Sequence, residues 1–320
     1  MTRTPLGYFT ADGERAANIV PLTWYMLIVS ILVCIVIAVM LWRAVRRARA
    51  SGGDAETRAL SVERGASGLH WISIGVLVSL VPLLIALVWT MITLAAVAGP
   101  PAQPQLVLDV TAHQWWWEIK YNFGEPSQSF TTANEIHIPV GERVLVRLHG
   151  GDVIHSFWVP KLSGKTDAIP GQVNLSWMQA DHVGRYRGQC QEFCGPQHAY
   201  MGFEVVADTK EDFEQWRSAQ LRPAWDPSTA AQTRGKAIVE YRCGSCHQVR
   251  GTHAAAVAAP DLTHLMTRHM LASARLVNNP GNLIGWIQDP QGIKPGCLMP
   301  NQYLSSQQLA DVQAYLVLLR

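Results

Sequence analysis

Residues 186–203, YRGQCQEFCGPQHAYMGF, gather two cysteines, a glutamate, a histidine and a methionine into one short stretch. Cys190 and Cys194 stand four apart, where most zinc knuckles place theirs three apart. A disulfide between them leaves His198 and Met201 without a role. Zinc draws its ligands from Cys, His and carboxylates and rarely takes methionine. Thiolate, imidazole and thioether together are the soft set that selects copper. A single blue-copper ion needs one cysteine and two histidines, whereas two cysteines allow two thiolates to bridge two copper ions. Each ion then wants a terminal histidine. His198 supplies one, and the second has to come from another strand. His155, in GGDVIHSFWVP at the end of the strand run RVLVRL, is the candidate, although a lone histidine on a strand is usually structural. His113, His137, His149 and His182 lack such a setting.

Around this loop, from Leu106 to about Asp208, the chain reads as short β-branched segments broken by turn residues. QLVLDVTA, NEIHIPV, RVLVRLHG, QVNLSWMQA and GFEVVAD are spaced as in a sandwich or barrel. KEDFEQWRSAQL then predicts a short helix, and RPAWDPS a linker. From Thr229 the texture becomes helical: TAAQTRGKAIVEYR, NLIGWIQD, and SSQQLADVQAYLVLLR with an N-cap at Ser305 or Ser306.

CGSCH, with Cys243, Cys246 and His247, is the C-x-x-C-H attachment sequence of a covalent c-type haem. Two thiols bond the haem vinyl groups, and the adjacent histidine binds iron from one side. A thioredoxin-like pair needs a βαβ context, which this helical segment lacks, and leaves His247 unexplained. For the sixth iron ligand, Met299 in the Gly/Pro-rich loop KPGCLMPN can swing a thioether across the haem, which raises the reduction potential as suits an electron carrier. Met266 and Met270 fall in a stretch that reads as helical core, and His253, His264 and His269 read as surface residues. Cys297 reads as a buried free thiol.

Upstream, no Asp, Glu, Lys or Arg occurs between Arg15 and Arg43 or between Arg64 and Asp109. Each gap holds an apolar run, about 19–42 and 71–98, long enough for the roughly 20 residues that cross a bilayer. A buried core helix rarely lacks charge for so long, and the first run is too long for a cleaved signal peptide. Between the runs lie Arg43, Arg46, Arg47, Arg49, Arg58 and Arg64 against Asp54, Glu56 and Glu63, while no Lys or Arg follows the second run until Lys120. The positive-inside rule places that loop in the cytoplasm, and the N-terminus and everything after residue 100 outside. Cys34 sits within the first run as a small apolar filler. A net charge of +2 is too small to point to nucleic acid.

With these residues in view, the helical segment resembles a class I cytochrome c: CGSCH, Pro260 after it, Met299-Pro300 and the closing amphipathic helix all match. Residues 20–216 resemble subunit II of a cytochrome c oxidase. The match runs through the two spans, VTAHQWWWEIKY, GGDVIHSFWVPKLSGKTDAIPG and GRYRGQCQEFCGPQHAYMGFEVV, whose C-x-E-x-C-x-x-x-H-x-x-M pattern is highly specific. The resemblance as a whole is to the bacterial forms with a fused cytochrome c. It implies a multidomain membrane protein: an N-terminal segment and transmembrane helical hairpin (1–104), an all-β cupredoxin barrel or sandwich (105–208), a helix and linker (209–228) and an all-α cytochrome c domain (229–320).

The resemblance also implies a dinuclear copper (CuA) centre. Cys190 and Cys194 bridge the ions, His155 and His198 are terminal ligands, and Met201 and the Glu192 carbonyl are weak ligands. The Glu192 carboxylate binds Mg²⁺ shared with subunit I. One covalent haem c is held by Cys243, Cys246, His247 and Met299. An aromatic of QWWWEIKY marks the face where electrons arrive, and Trp116 or Trp117 is favoured for it. The implied role is the electron-input subunit of a haem–copper oxidase in the bacterial inner membrane, with both cofactor domains on the periplasmic face. It works with subunit I and subunit III, is fed by cytochrome c or a quinol–cytochrome c reductase, and serves O₂ reduction with proton translocation. A copper-containing nitric oxide reductase is the alternative. A quinol oxidase subunit lacks the copper ligands, and a copper chaperone has no use for a covalent haem. Two positions depart from the family pattern: Gly75 stands where the second span usually carries a glutamate, and Gln172 ends a PGQ that is usually PGR.

Overall fold

The computed structural model describes residues 6–50, 66–100 and 102–320. Two helices open the chain, α1 (Glu14–Ala50) and α2 (Ala66–Ala98). Each contains an apolar window with a mean hydropathy of 2.8 or 2.6, and none of either window is buried. That exposure sets them apart from core helices and suits side chains that face lipid. Within this unit, the Tyr25 hydroxyl donates to the Pro82 carbonyl at 2.9 Å, and the rings of Tyr25 and Trp89 lie 5.5 Å apart. Arg58, Arg64, Asp54, Glu56 and Glu63 of the connecting loop lie outside the described residues.

The remainder forms a second unit, Met1–Ala17 with Pro100–Arg320. Ten strands make two five-stranded sheets. One has the order β3(Phe130–Ala133), β2(Trp116–Asn122), β1(Leu106–His113), β5(Val144–Gly150), β8(Val173–Met178). The other runs β4(Glu135–Pro139), β10(Gly202–Asp208), β9(Gly184–Cys190), β6(His155–Trp158), β7(Thr166–Ala168). Strand β1 alternates buried and half-buried residues along its whole length, as period-2 patterning requires. Leu108, Val110, Trp117, Ile119, Ile136, Leu148, Phe157 and Phe203 fill the space between the sheets. Sequence patterning found five of these strands. It missed β2, β3, β6, β7 and β9, which are short, or are rich in Gly and Arg, or open on two adjacent tryptophans. His155 does not extend β5, as the sequence reading had it. The chain breaks at Gly150–Asp152, and His155 opens β6 in the opposite sheet, where Phe157 pairs with Cys190 of β9.

Residues before the first span dock on this sandwich. The Asp12 amide donates to the Lys161 carbonyl and the Asp181 amide to the Asp12 carbonyl, both at 2.8 Å. The buried Arg15 donates to Ser176 Oγ at 2.6 Å. A Cβ on Gly13 would lie 2.0 Å from the Gln179 carbonyl oxygen, so only glycine fits this contact. Segments that flank the hairpin on both sides therefore meet in one folded unit.

After α3 (Lys210–Gln220), the helical half runs α4 (Ala230–Arg242), a small hairpin β11(Met270–Leu271) and β12(Leu276–Val277), α5 (Pro280–Gln288), α6 (Pro290–Ile293) and α7 (Ser306–Leu316). Thr229 and Ser305 close capping boxes with Gln232 and Gln308 at the starts of α4 and α7. These two helices cross tightly at Gly235, where a Cβ would stand 2.0 Å from the Asp311 carbonyl oxygen. The stretch around Met266 and Met270 differs from its helical reading. It is one 3-10 turn and the first strand of the hairpin. His264 is buried, with Nε2 at 3.1 Å from the Arg222 carbonyl, and His269 is half-buried; only His253 is exposed, as expected. Cys297 is half-buried, and Cys34 is exposed on α1.

Candidate metal centre and haem segment

Strand β9 ends at Cys190, and the loop to β10 folds back so that Cys194, His198 and Met201 turn towards it. The Cys190 and Cys194 sulfurs are 3.8 Å apart, close to twice the ~2.05 Å of a disulfide. Two thiolates at ~2.3 Å from a shared tetrahedral ion would stand about 3.8 Å apart, so the spacing suits metal bridging. His155 Nδ1 lies 3.9 Å from Cys190 Sγ, and His198 Nδ1 lies 3.6 Å from Cys194 Sγ, so each sulfur faces its own imidazole. His155, Cys190 and Cys194 form the one group of three such ligand atoms within 4.8 Å among the described residues. Met201, fully buried, brings Sδ to 3.8 Å from Cys194 Sγ. The Glu192 carbonyl is 3.3 Å from Cys190 Sγ, while its carboxylate points outward, 3.6 Å from Lys165 Nζ.

The charge state fits the same use. Hydrogen bonding from the Cys194 thiol, opposed by burial and aided by His155, holds Cys190 well below the ordinary thiol range. The adjacent Cys190 sulfur in turn drives Cys194 upward. The pair thus surrenders one proton readily, and a bound cation would relieve the repulsion that resists loss of the second. Asp152 Oδ1 sits 2.7 Å from His155 Nε2, fixing the tautomer that leaves Nδ1 facing the sulfurs. Burial opposes protonation of His155, but Cys190 and Asp152 outweigh it and raise its pKa.

The backbone of this loop is tied down by the tryptophan segment. Gln114 Nε2 and Trp115 Nε1 both donate to the Cys194 carbonyl, at 2.6 and 2.9 Å, and the Gln114 amide donates to Asp152 Oδ2 at 2.6 Å. Trp117 is fully buried and edge-on to His155, with centroids 6.2 Å apart. Trp116 is half-buried and stacks on His113 at 4.7 Å. Sequence reasoning passed over Gln114, Trp115 and Asp152. All three lie inside the motifs quoted for the resemblance, but nothing in their spacing marks them as supports for a ligand loop.

In the helical half, Cys243 caps α4, and a turn returns the Cys246 and His247 amides to the Cys243 carbonyl at 3.0 and 2.9 Å. His247 Nδ1 donates to the Pro260 carbonyl at 2.7 Å, which leaves Nε2 free for a metal. Burial pushes Cys243 up to about 11, so it is a protonated thiol rather than a ready metal thiolate. Met299 and Cys243 both pack against the helical core. Gln291 Nε2 holds the Met299 loop through the Cys297 and Met299 carbonyls, each at 2.7 Å. These residues fit a thioether-bonded haem with a nitrogen ligand on one side.

Fold and site together define a class: a membrane-anchored metalloprotein in which a cupredoxin-like sandwich with a soft two-sulfur site is joined to a haem-attachment domain. Residues 106–208 match the model of the cytochrome C oxidase subunit II periplasmic domain, and residues 232–320 that of cytochrome c. The chain therefore joins a member of the subunit II periplasmic-domain family to a member of the cytochrome c family. Cytochrome c oxidase subunit 2 of Alkalihalophilus pseudofirmus is 38% identical over 214 residues, covering 67% of this chain and 60% of that protein. Its counterpart in Bacillus subtilis is 31% identical over 230 residues, covering 68% and 63%. The chain thus spans less than two thirds of the length of these relatives. A crystal structure of the periplasmic domain of subunit II of cytochrome oxidase of Bradyrhizobium japonicum is 30% identical, covering 37% of this chain and 94% of that one, with a TM-score of 0.35.

Proposed function

We propose that this chain is the electron-input subunit of a membrane-bound haem–copper oxidase. The observation that carries the reading is the pairing of two sulfurs 3.8 Å apart, each faced by its own imidazole, with a haem-attachment segment in the same folded unit. Cys190, Cys194, His155, His198, Met201 and the Glu192 carbonyl would hold two copper ions, and Cys243, Cys246, His247 and Met299 one haem. Such groups, when bound, supply reversible one-electron chemistry with little rearrangement. The protein's part is to hold the two sites in one folded unit.

Trp115 has the geometry for a conduit. Its indole donates to the Cys194 carbonyl, and a Cβ built on Gly296, three residues before Met299, would lie 3.7 Å from its Cη2. We therefore assign to Trp115 the electron-entry role for which the family resemblance favoured Trp116 or Trp117. Trp117 remains close to His155 but is sealed inside the sandwich. The outward carboxylate of Glu192 is available to a cation or partner at the surface, which supports the shared Mg²⁺ site with subunit I.

The proposed division follows the notional boundaries 1–104, 105–208, 209–228 and 229–320, with residues up to Ala17 seated on the sandwich. The reading places the chain in a bacterial inner membrane with the sandwich and haem domain outside. It assigns subunits I and III as partners and cytochrome c or a quinol–cytochrome c reductase as donor. A Cβ at Gly75 would meet nothing within 4 Å, so packing within this chain does not demand glycine where the family usually has glutamate. Proton uptake therefore has to be served elsewhere, or the acceptor is nitric oxide. Turnover of the purified complex with O₂ and with NO tests this: the oxidase reading predicts O₂ consumption that is lost in Cys194→Ser. Turnover with NO alone contradicts it.

A further inference from the structure

Two segments of the haem-bearing half are seated on the sandwich. The first is the turn of the β11–β12 hairpin. Ala272, Ser273 and Ala274 carry left-handed φ values of 51°, 58° and 59° in succession. Non-glycine residues hold such a conformation only where their surroundings impose it. Here the surroundings are the sandwich. The Ser273 hydroxyl donates to the Trp115 carbonyl at 2.7 Å, its carbonyl accepts the Gly202 amide at 3.2 Å, and the Ala274 carbonyl accepts Arg187 Nη1 at 3.1 Å.

The second segment leads into Met299. Lys294 is only 3% exposed, and its Nζ donates to the Trp115 carbonyl and to Ser273 Oγ. The Pro295 carbonyl accepts Gln197 Nε2 at 2.8 Å. A buried lysine is costly, and Lys294 has no carboxylate partner among the described residues. Burial pushes its ammonium down to about 7. The uncharged amine still carries two N–H groups, matching the two oxygens it faces. At the far edge of the contact, the His269 amide donates to Glu135 Oε2 and its Nδ1 pairs with Glu204 Oε2, both at 2.8 Å.

We propose that Lys294 and Ser273 form an interdomain latch on the Trp115 carbonyl, which fixes the haem-bearing half in one orientation and holds the Met299 loop against Trp115 throughout turnover. A carrier swinging on the 222–229 link would dock through a wet, exposed and readily separable face. The observed contact instead buries a lysine, a serine and a tryptophan together. Lys294 is a positioning residue, since it touches neither candidate site. The consequence for electron transfer rests on the function proposed above, but the latch itself does not.

The test uses the full-length protein, as wild type, Lys294→Met and Ser273→Ala, with two readouts. Hydrogen exchange of the Gly202 amide needs no cofactor. The latch predicts strong protection in the wild type and exchange roughly tenfold or more faster in both variants, the shift expected for a lost buried hydrogen bond. Flash-initiated transfer from haem to copper in the loaded protein should be independent of solvent viscosity in the wild type and viscosity-dependent in the variants. Should Lys294→Met fail to fold, Ser273→Ala, which removes a single hydroxyl, decides alone. A Gly202 amide that exchanges as fast as the 222–229 link in the wild type, or variants matching the wild type in exchange, overturns the latch. Changed exchange without any haem-to-copper transfer keeps the latch and contradicts the proposed function.

Discussion

The chain holds two cysteine pairs, and they are built for opposite chemistry. Cys190 and Cys194 are buried, four apart, 3.8 Å between sulfurs, and Cys190 is tuned towards thiolate by Cys194 and His155 while Cys194 keeps its proton. Cys243 and Cys246 are three apart at a helix end, where Cys246 is exposed and burial keeps Cys243 protonated up to about 11. The first pair is prepared to share its charge with metal ions. On the proposed reading the second bonds a carbon partner, and the metal-facing work falls to His247. Spacing of three against four residues thus separates a helix-terminal turn from an open loop between strands. The environment of each then sets its protonation.

The sharpest way to break this contrast is to remove one sulfur at a time. Cys194→Ser should abolish two-copper binding while the haem absorption stays intact, and Cys246→Ser should leave copper bound while altering haem attachment. Loss of both cofactors from either variant would mean that the two sites are not independently built. Next in size, Asp152→Ala removes the acceptor that orients His155. Copper affinity should fall by about 10–100-fold with the haem spectrum unchanged, as seen by copper titration. Met299→Ala should leave the haem covalently attached but change its ligation. An unchanged spectrum would remove Met299 from the site.

Smaller effects test the scaffold on each side. Gly235→Ala pushes a Cβ into the Asp311 carbonyl and should cost about 1–3 kcal/mol in the helical half, lowering its melting midpoint and leaving that of the sandwich alone. In the sandwich, His137 is stacked on Trp216 and lies 2.6 Å from Asp208 and 3.2 Å from Glu135. Burial lowers its pKa, but the two carboxylates prevail and raise it above 6.5. A raised histidine contributes stability that is complete below pH 6.5 and is lost as pH climbs through the folded value. Denaturation of the sandwich should therefore become easier on the alkaline side of that point, and His137→Gln should flatten the dependence.

How far the sequence could be read follows from the physics of each part. The spans, the copper loop and CGSCH were legible because their chemistry is local: an uncharged run, a soft ligand set in twelve residues, an attachment pentad. The capped helices were legible for the same reason. His155 was found as a residue but misplaced in its sheet, because strand changes at Gly150–Asp152 depend on long-range pairing with β9. Trp115 was overlooked among three adjacent tryptophans, since a hydrogen bond to the Cys194 carbonyl is a tertiary fact with no periodic trace. Lys294 and Ser273 were invisible altogether. A lysine in a Gly/Pro-rich loop reads as solvent-exposed until the opposite domain is seen to cover it.

The central claim is that Cys190, Cys194, His155 and His198 bind two copper ions as one centre beside a single haem. The most direct measurement is the copper-to-haem ratio and EPR spectrum of the full-length protein. The account predicts two coppers per haem and a mixed-valence signal in which one unpaired electron is shared equally by both copper nuclei. One copper per chain, with the spectrum of a single type 1 ion, would contradict it.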